Sequence, residues 1–314
     1  MKEKILLIGG QGYIGSYLST NLDYEIQSID LNLFPSNIKT NNKKIDFNKL
    51  DKKYISKYDH IILLAGHSSV RMCDIYPQSV FNNNVRNFIN LLEKISPNQT
   101  FIYASSASVY GDCKENIVFE NQILNTPYNM YDYTKQAIDS YINISKKEGR
   151  VYGLRFGTVN GYSPNLRSDI MLNAMTFNAF KKNEVLLFNS DTKRSILCIN
   201  DLLFAVQNIL KSSKKNGGIY NIASFTKTSE EMAKIVSNKL NVKLKIVDKN
   251  KIFDKSVNEK LLTNKYNFAL DCSKFEKDFS FTFTGNIDKI IDSLVFNWNK
   301  MLFSDRNESF LYKD

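Results

Sequence analysis

Cysteine, histidine and long apolar runs are all scarce in this chain. Its four cysteines, Cys73, Cys113, Cys198 and Cys272, are scattered through 314 residues, and no two form a C-x-x-C pair. With only two histidines beside them no zinc set can be assembled, so no metal is expected. Reduced thiols and a cytoplasmic location are the expectation. No apolar run approaches the length that spans a bilayer, and no apolar leader precedes the first strand signal, so neither a membrane span nor a signal peptide is expected. Also missing is a clustered basic stripe with interleaved aromatics. The net charge is +10, but the lysines come as scattered pairs, such as Lys43 with Lys44 and Lys181 with Lys182. This pattern reads as solvated surface with a mild bias toward an anionic substrate, and no nucleic-acid or membrane partner is expected.

What the sequence does contain is concentrated at its start, in KILLIGGQGYIG at residues 4–15. Residues 5–8 are an apolar run of the length of one buried strand. Gly9, Gly12 and Gly15 follow at three-residue spacing. A glycine at 9 permits a tight turn, one at 12 lets backbone approach a ligand, and one at 15 lets the next helix pack close. A helix over 13–22 would then aim its free N–H groups at a pyrophosphate. A second strand signal, EIQSID at 25–30, ends in Asp30, near where a ribose-binding carboxylate is expected. A carboxylate there accepts from ribose hydroxyls and repels a 2′-phosphate, which favours NAD over NADP. Residues 45–47 read as a short strand end, with Asp46 placed to accept from an adenine amine or simply to face solvent.

Further strands are read at 61–65, 101–104, 151–156 and 219–223, separated by helix-length spacers, which together suggest a parallel doubly wound sheet. Phe81, Val85, Phe88, Leu92 and Ile95 recur at helical spacing across 80–95. A hydroxyl-rich segment, residues 105–111, follows one strand, where open α/β sheets place ligands. Tyr131 and Lys135 are four apart in a helical pattern and share a face. Tyr110 and Lys114 have the same spacing but follow a loop signal, where it carries no such meaning. Beyond Phe156 the pattern is less regular. Residues 158–167 read as loop, 170–180 as helix, 185–188 and 244–247 as strands, and 287–301 as a last helix with Ile290, Ile291, Leu294, Val295 and Trp298 on its apolar face. The final residues, 307–314, are expected to fray.

GGQGYIG, Asp30, the Leu64–Ala65–Gly66 segment, NNNVRNFINLLE, SSASVYG and YDYTK stand in the order seen in extended short-chain dehydrogenases/reductases. The chain resembles the NAD-dependent epimerase/dehydratase group that acts on nucleotide sugars, over residues 1–223. The resemblance implies a Rossmann-type α/β fold, with residues 1–157 plus about 192–224 binding NAD. Residues 158–191 plus 225–314 would form a smaller mixed α/β substrate lobe. It further implies that Gly9, Gly12, Tyr13, Ile14 and Gly15 hold the pyrophosphate of NAD. Asp30 and Asn32 would take the adenosine ribose, and Asp46 with Phe47 the adenine. Leu64, Ala65 and Gly66 would line the cofactor with Asn84 behind them. Ser106, Tyr131 and Lys135 would be the catalytic trio, Lys135 also binding the nicotinamide ribose. Arg194 and Asn173 would contact the substrate pyrophosphate, Ser106 the sugar oxygen, and Ser108 and Thr158 would also bind substrate.

The activity so implied is 4-epimerisation of a nucleotide sugar through a 4-keto intermediate, with polysaccharide biosynthesis as the setting and a homodimer built on the 80–95 and 131–145 helices. A 4-dehydrogenase or 4-ketoreductase with the same trio stays open, as, more remotely, does a non-catalytic NAD- or RNA-binding protein. Dehydration ranks low because Ala107 and Ser108 stand where dehydratases carry a carboxylate pair. Family epimerases often have Asn where Thr158 stands, and Tyr266 falls where an arginine is common. For proton removal near neutrality, Tyr131 has to ionise roughly three pH units below its usual value of about 10.

Overall fold

The computed structural model describes residues 2–36, 38, 40–111, 113–145, 149–214, 216–247 and 266–304; the expected fraying of 307–314 lies outside them. Seven parallel strands form the central sheet: β1 (Lys4–Ile8), β2 (Glu25–Asp30), β3 (Asn42–Lys44), β4 (His60–Leu63), β5 (Thr100–Ser106), β6 (Arg150–Phe156) and β7 (Gly218–Ile222). Their order is β7-β6-β5-β4-β1-β2-β3. The chain therefore leaves β1 toward one edge and returns to pair β4 on its other side, in register Ile5 to His60 through Ile8 to Leu63. That reversal opens a crevice at the carboxyl ends of β1 and β4, where doubly wound sheets hold their ligands.

Strand residues alternate between faces, and here both faces are covered. Ile5 and Leu7 join a core shared with elements after residue 158, such as Leu172, Leu202 and Ile290, whereas Leu6 and Ile8 join a second core with Phe88, Leu91, Leu92 and Ile138. Each fully buried aliphatic side chain contributes roughly 2 kcal/mol, so an unbroken apolar strand is stable only when sandwiched in this way.

The helical segment expected at 80–95 begins earlier, with Pro77 at its first turn, and runs to Leu92 through a five-residue π-helical stretch, Asn82–Arg86. Pro suits that first position because its missing N–H has no partner to lose there. Val85, Phe88, Leu92 and Ile95 are buried as the periodicity predicts, but Phe81 is 40% exposed and stacks on the ring of Tyr133. The expected strand end at 45–47 is a correction: pairing stops at Lys44, and Asp46 caps a single 3-10 turn, Phe47–Lys49, by accepting from Asn48 N at 2.9 Å.

The 158–167 loop is a second correction. It contains two short strands, Thr158–Asn160 and Asn165–Arg167, joined through Gly161 at φ +122°. The first pairs with Lys193–Cys198 and the second with Leu302–Ser304, partners too remote in sequence for local pattern to reveal. The last helix spans Ile287–Phe296 and is followed by a 3-10 turn, Trp298–Lys300. Ile290, Ile291 and Leu294 are buried, whereas Val295 is 37% exposed. Among the described residues no helix is long and apolar enough to cross a membrane, and no group of metal-ligating side chains converges.

Candidate active site

The crevice at the sheet's switch point is a cleft of about 570 Å³. Its floor is the glycine turn. Gly9 has φ +91°, and a Cβ there would lie 2.6 Å from Ala65 N, so the turn is pressed against the loop leaving β4. A Cβ at Gly15 would sit 2.0 Å from Gly9 O, so only glycine lets the helix Tyr13–Asn21 (α1) start so close to β1. Gly12 is the N-cap of α1 and offers no side-chain cap, leaving the helix's first N–H groups available to a ligand. Gly9, Gly12, Tyr13, Ile14 and Gly15 all border the cleft.

Asp30 lines the cleft at the end of β2. Its carboxylate is oriented by two backbone donors, Gln11 N at 3.0 Å and Asn32 N at 2.8 Å. Each oxygen keeps a further lone pair, and so can accept from a ribose hydroxyl. Phe47, Leu64, Ala65 and Gly66 border the cleft as well. This phosphate-sized cradle at a helix N-terminus and fixed acid at the second strand fit a dinucleotide.

Three expected ligand contacts are not brought there. Asn32, at φ 56°, gives its side-chain oxygen to Asn42, and Asp46 is spent on its cap; neither lines the cleft. Asn173 is buried. It accepts from Gly161 N at 3.0 Å and donates to Tyr13 Oη and Arg167 O, bracing the start of α1 against the lobe. It does not border the cleft. Tyr13 likewise commits its phenol, donating to Gly161 O at 2.8 Å. Asn84 sits behind the 64–66 segment: its amide accepts from His67 N and donates to His67 O and Thr134 Oγ1.

The proposed trio comes from two elements. Ser106 ends β5 and accepts from Ser108 N, while the Ser106 and Ser108 hydroxyls lie 2.9 Å apart. Tyr131 and Lys135 stand one turn apart on the helix Met130–Ser145 (α2). The Lys135 ammonium lies 5.7 Å from the centre of the Tyr131 ring and donates to Ala104 O at 2.6 Å. All three side chains border the cleft. The rival pair is kept apart: Tyr110 is buried, donating to Asn221 Oδ1 at 2.6 Å, and Lys114 is exposed.

Burial sets the electrostatics. Desolvation pushes the Tyr131 phenol up to about 12, against a hydrogen bond from Ser106 that draws it down. Desolvation also pulls Lys135 down to about 8, opposed by the negative charge of Asp139. The polypeptide alone therefore moves Tyr131 opposite to the direction the chemistry requires. Arg194 borders the cleft, donates to Tyr266 O at 3.1 Å, and is lowered by desolvation to about 10, so it stays charged at neutral pH. Thr158 and Ser108 border the same end.

Sequence reasoning missed four participants. Asp139 and Arg155 form a fully buried ion pair at 2.8 Å, and Asp139 also accepts from Tyr103 and Ser105. An acid four residues after Lys135, between Ile138 and Ile142, was the available signal. Arg167 borders the cleft with a bidentate partner, Asp169, at 2.6 and 3.0 Å. Nothing local marks that arginine, because the strand carrying it is itself set by a distant partner.

Fold and site together define a dinucleotide-dependent enzyme of the Rossmann class. The chain belongs to the NAD dependent epimerase/dehydratase family, whose pattern its residues 5–223 match. It is similar to UDP-glucuronate 4-epimerase 1 of Arabidopsis thaliana, 27% identical over 249 residues that cover 68% of this chain and 56% of that protein. It is also similar to the ADP-L-glycero-D-manno-heptose-6-epimerase of Brachyspira hyodysenteriae, at 28% over 74% of this chain and 80% of that one. Against UDP-glucuronate 4-epimerase 6 of Arabidopsis thaliana, 30% identical over 51% of this chain, it matches only 36% of the relative's length. Among solved structures, the fold matches an NAD-dependent NDP-hexosamine 5,6-dehydratase of tunicamycin biosynthesis, with TM-score 0.79 and 18% identity over 98% of this chain and 100% of that one. It also matches a Bacillus cereus UDP-glucuronic acid 4-epimerase holding UDP-glucuronic acid and NAD, with TM-score 0.76 and 20% identity over 92% and 97%.

Proposed function

We propose that this protein is an NAD-dependent nucleotide-sugar 4-epimerase that works through a transient 4-keto sugar. The observation that carries this reading is the convergence of Ser106, Tyr131 and Lys135 on the cleft that also contains the glycine turn. When bound, NAD supplies the acceptor and donor of hydride at the sugar carbon. The pyrophosphate would be held by backbone N–H groups at the start of α1, the adenosine ribose by Asp30, and the nicotinamide ribose by Lys135. Tyr131 takes the proton of the sugar 4-hydroxyl, Ser106 donates to the same oxygen and holds it in line, and Arg194 meets the substrate pyrophosphate.

Bringing the Tyr131 phenol from about 12 to neutrality requires roughly 7 kcal/mol of preferential stabilisation of the phenolate. Lys135, charged at neutral pH and one turn along the same helix, favours the phenolate, and a bound oxidised nicotinamide would add a second positive charge.

The names of the relatives support epimerisation of a nucleotide sugar carrying uridine or another nucleotide. Residues 1–157 with about 192–224 are read as the NAD-binding part, and the rest as the substrate lobe. The exposed Phe81–Tyr133 stack supports a homodimer formed through the helices that carry them. The test is product analysis with UDP-glucuronate, UDP-glucose, and GDP-, CDP- and dTDP-sugars. Epimer formation without accumulating reduced cofactor is expected. Stoichiometric reduced cofactor with a released keto sugar would replace this reading with a 4-dehydrogenase.

A further inference from the structure

Among the described residues, Tyr266 is the only non-glycine residue that borders the cleft with a positive φ, 59°. A large side chain in that region is strained, and such strain persists only where the surroundings hold it. Here the side chain is held firmly. The phenol donates to Asp132 Oδ2 at 2.5 Å and accepts from Asn129 Nδ2 at 2.9 Å. The ring meets Tyr128 edge-on, with centroids 5.7 Å apart. The carbonyl of Tyr266 in turn accepts from Arg194 Nη1 at 3.1 Å.

These partners belong to opposite ends of the site. Asn129 precedes α2 and closes its first turn: its Oδ1 accepts from Asp132 N at 3.0 Å and its Nδ2 donates to Asp132 Oδ2 at 2.9 Å. Tyr131 stands in that turn, and Asp132 beside it is fully buried. Arg194 lies on the strand Lys193–Cys198 and borders the cleft. The residues after Tyr266 run along that strand. Lys193 N donates to Asn267 Oδ1 at 2.7 Å, and Leu270 N donates to Ser195 Oγ at 2.9 Å.

We propose that Tyr266 is a positioning residue that clamps the first turn of α2 to Arg194. The clamp fixes the spacing between the phenol of Tyr131 and the guanidinium that would meet the substrate pyrophosphate. The inference rests on the readings of Tyr131 and Arg194 given above. Rotation about N–Cα swings a residue's own carbonyl, so the positive φ of Tyr266 sets where that acceptor points. The hydrogen bonds of the phenol offset the cost of that φ. Without them the backbone relaxes toward negative φ, the carbonyl turns from Arg194, and the guanidinium loses an acceptor that holds it at the cleft.

The test is calorimetric binding of UDP, ADP, GDP, CDP and dTDP to the NAD-loaded full chain, followed through variants with whichever diphosphate wild type binds most tightly. Tyr266→Phe keeps the ring and removes both phenol hydrogen bonds; diphosphate affinity is expected to fall roughly tenfold with NAD affinity unchanged. Tyr266→Ala should lose more. Tyr266→Gly, which adopts positive φ freely, should recover part of that loss, whereas a role in packing alone would leave glycine level with alanine or below it. Asn129→Ser keeps a capping oxygen for Asp132 N and removes the donor to the phenol. It should weaken diphosphate binding by itself, without multiplying the loss in Tyr266→Phe. Wild-type affinity in Tyr266→Phe or Asn129→Ser, multiplying losses, or glycine no better than alanine would overturn the proposal. Arg194→Gln separates the clamp from the reading beneath it. If Arg194→Gln binds as wild type does, or wild type binds none of the diphosphates, the pyrophosphate reading of Arg194 fails and the clamp falls with it. If Arg194→Gln weakens binding and Tyr266→Phe does not, the clamp alone is wrong.

Discussion

The ammonium of Lys135 lies 5.7 Å from the centre of the Tyr131 ring and is anchored by the carbonyl of Ala104 at the end of β5. One hydrogen bond thus fixes the helix that carries the phenol to the strand that carries Ser106. That ammonium is held against its preference, since burial lowers Lys135 to about 8.

That cost has a sign. With the folded value near 8 and the unfolded value near 10.4, the unfolded chain binds more protons between those two pH values, so stability rises as pH climbs through that window. Below pH 8 the full cost is present. Lys135→Met is therefore expected to stabilise the protein by roughly 2 kcal/mol at pH 7, measured by chemical denaturation, while abolishing turnover. Wild-type activity is expected to fall above about pH 8 as the ammonium deprotonates.

The buried pair Asp139–Arg155 predicts the opposite response. Asp139→Ala leaves a guanidinium buried with its main partner gone, and should destabilise by about 3–5 kcal/mol in the same assay. Replacing both residues together by Leu and Met should cost clearly less than the single change.

Two glycines separate folding from binding. A Cβ at Gly15 would meet Gly9 O at 2.0 Å, so Gly15→Ala should lower the melting temperature sharply. At Gly12 the nearest atom, Gly9 O, would be 3.3 Å away. Gly12→Ala should keep the fold and weaken NAD binding at least roughly tenfold by calorimetry, because the new methyl occupies the approach to the pyrophosphate.

On the proposed reading, Asp30 sets cofactor choice. Its carboxylate is held by Gln11 N and Asn32 N, so Asp30→Asn keeps the shape and removes the charge. NAD affinity should fall and NADP affinity should rise, narrowing their ratio by roughly tenfold or more, as expected from losing about 1.4 kcal/mol of discrimination.

The sheet was legible in the sequence because its strands are unbroken apolar runs and its first turn needs glycine at fixed spacing. Tyr131 was separable from Tyr110 only through helical context, and the structure brings the first to the cleft and buries the second against Asn221. What escaped was set by distant pairing. The strand Asn165–Arg167 needs Leu302–Ser304, and without that partner nothing marks Arg167 as a cleft residue. Asn173 and Asp46 lie outside the cleft for a related reason: an amide or carboxylate on a given segment has several backbone groups competing for it, and here Asn173 accepts from Gly161 N and Asp46 from Asn48 N.

The central claim is that Tyr131 performs the proton transfer beside a bound NAD. The most direct measurement pairs calorimetric NAD binding with turnover of UDP-glucuronate for wild type and Tyr131→Phe. The account predicts unchanged NAD affinity and a loss of turnover of at least roughly a hundredfold. A phenylalanine variant that turns over at the wild-type rate would contradict it.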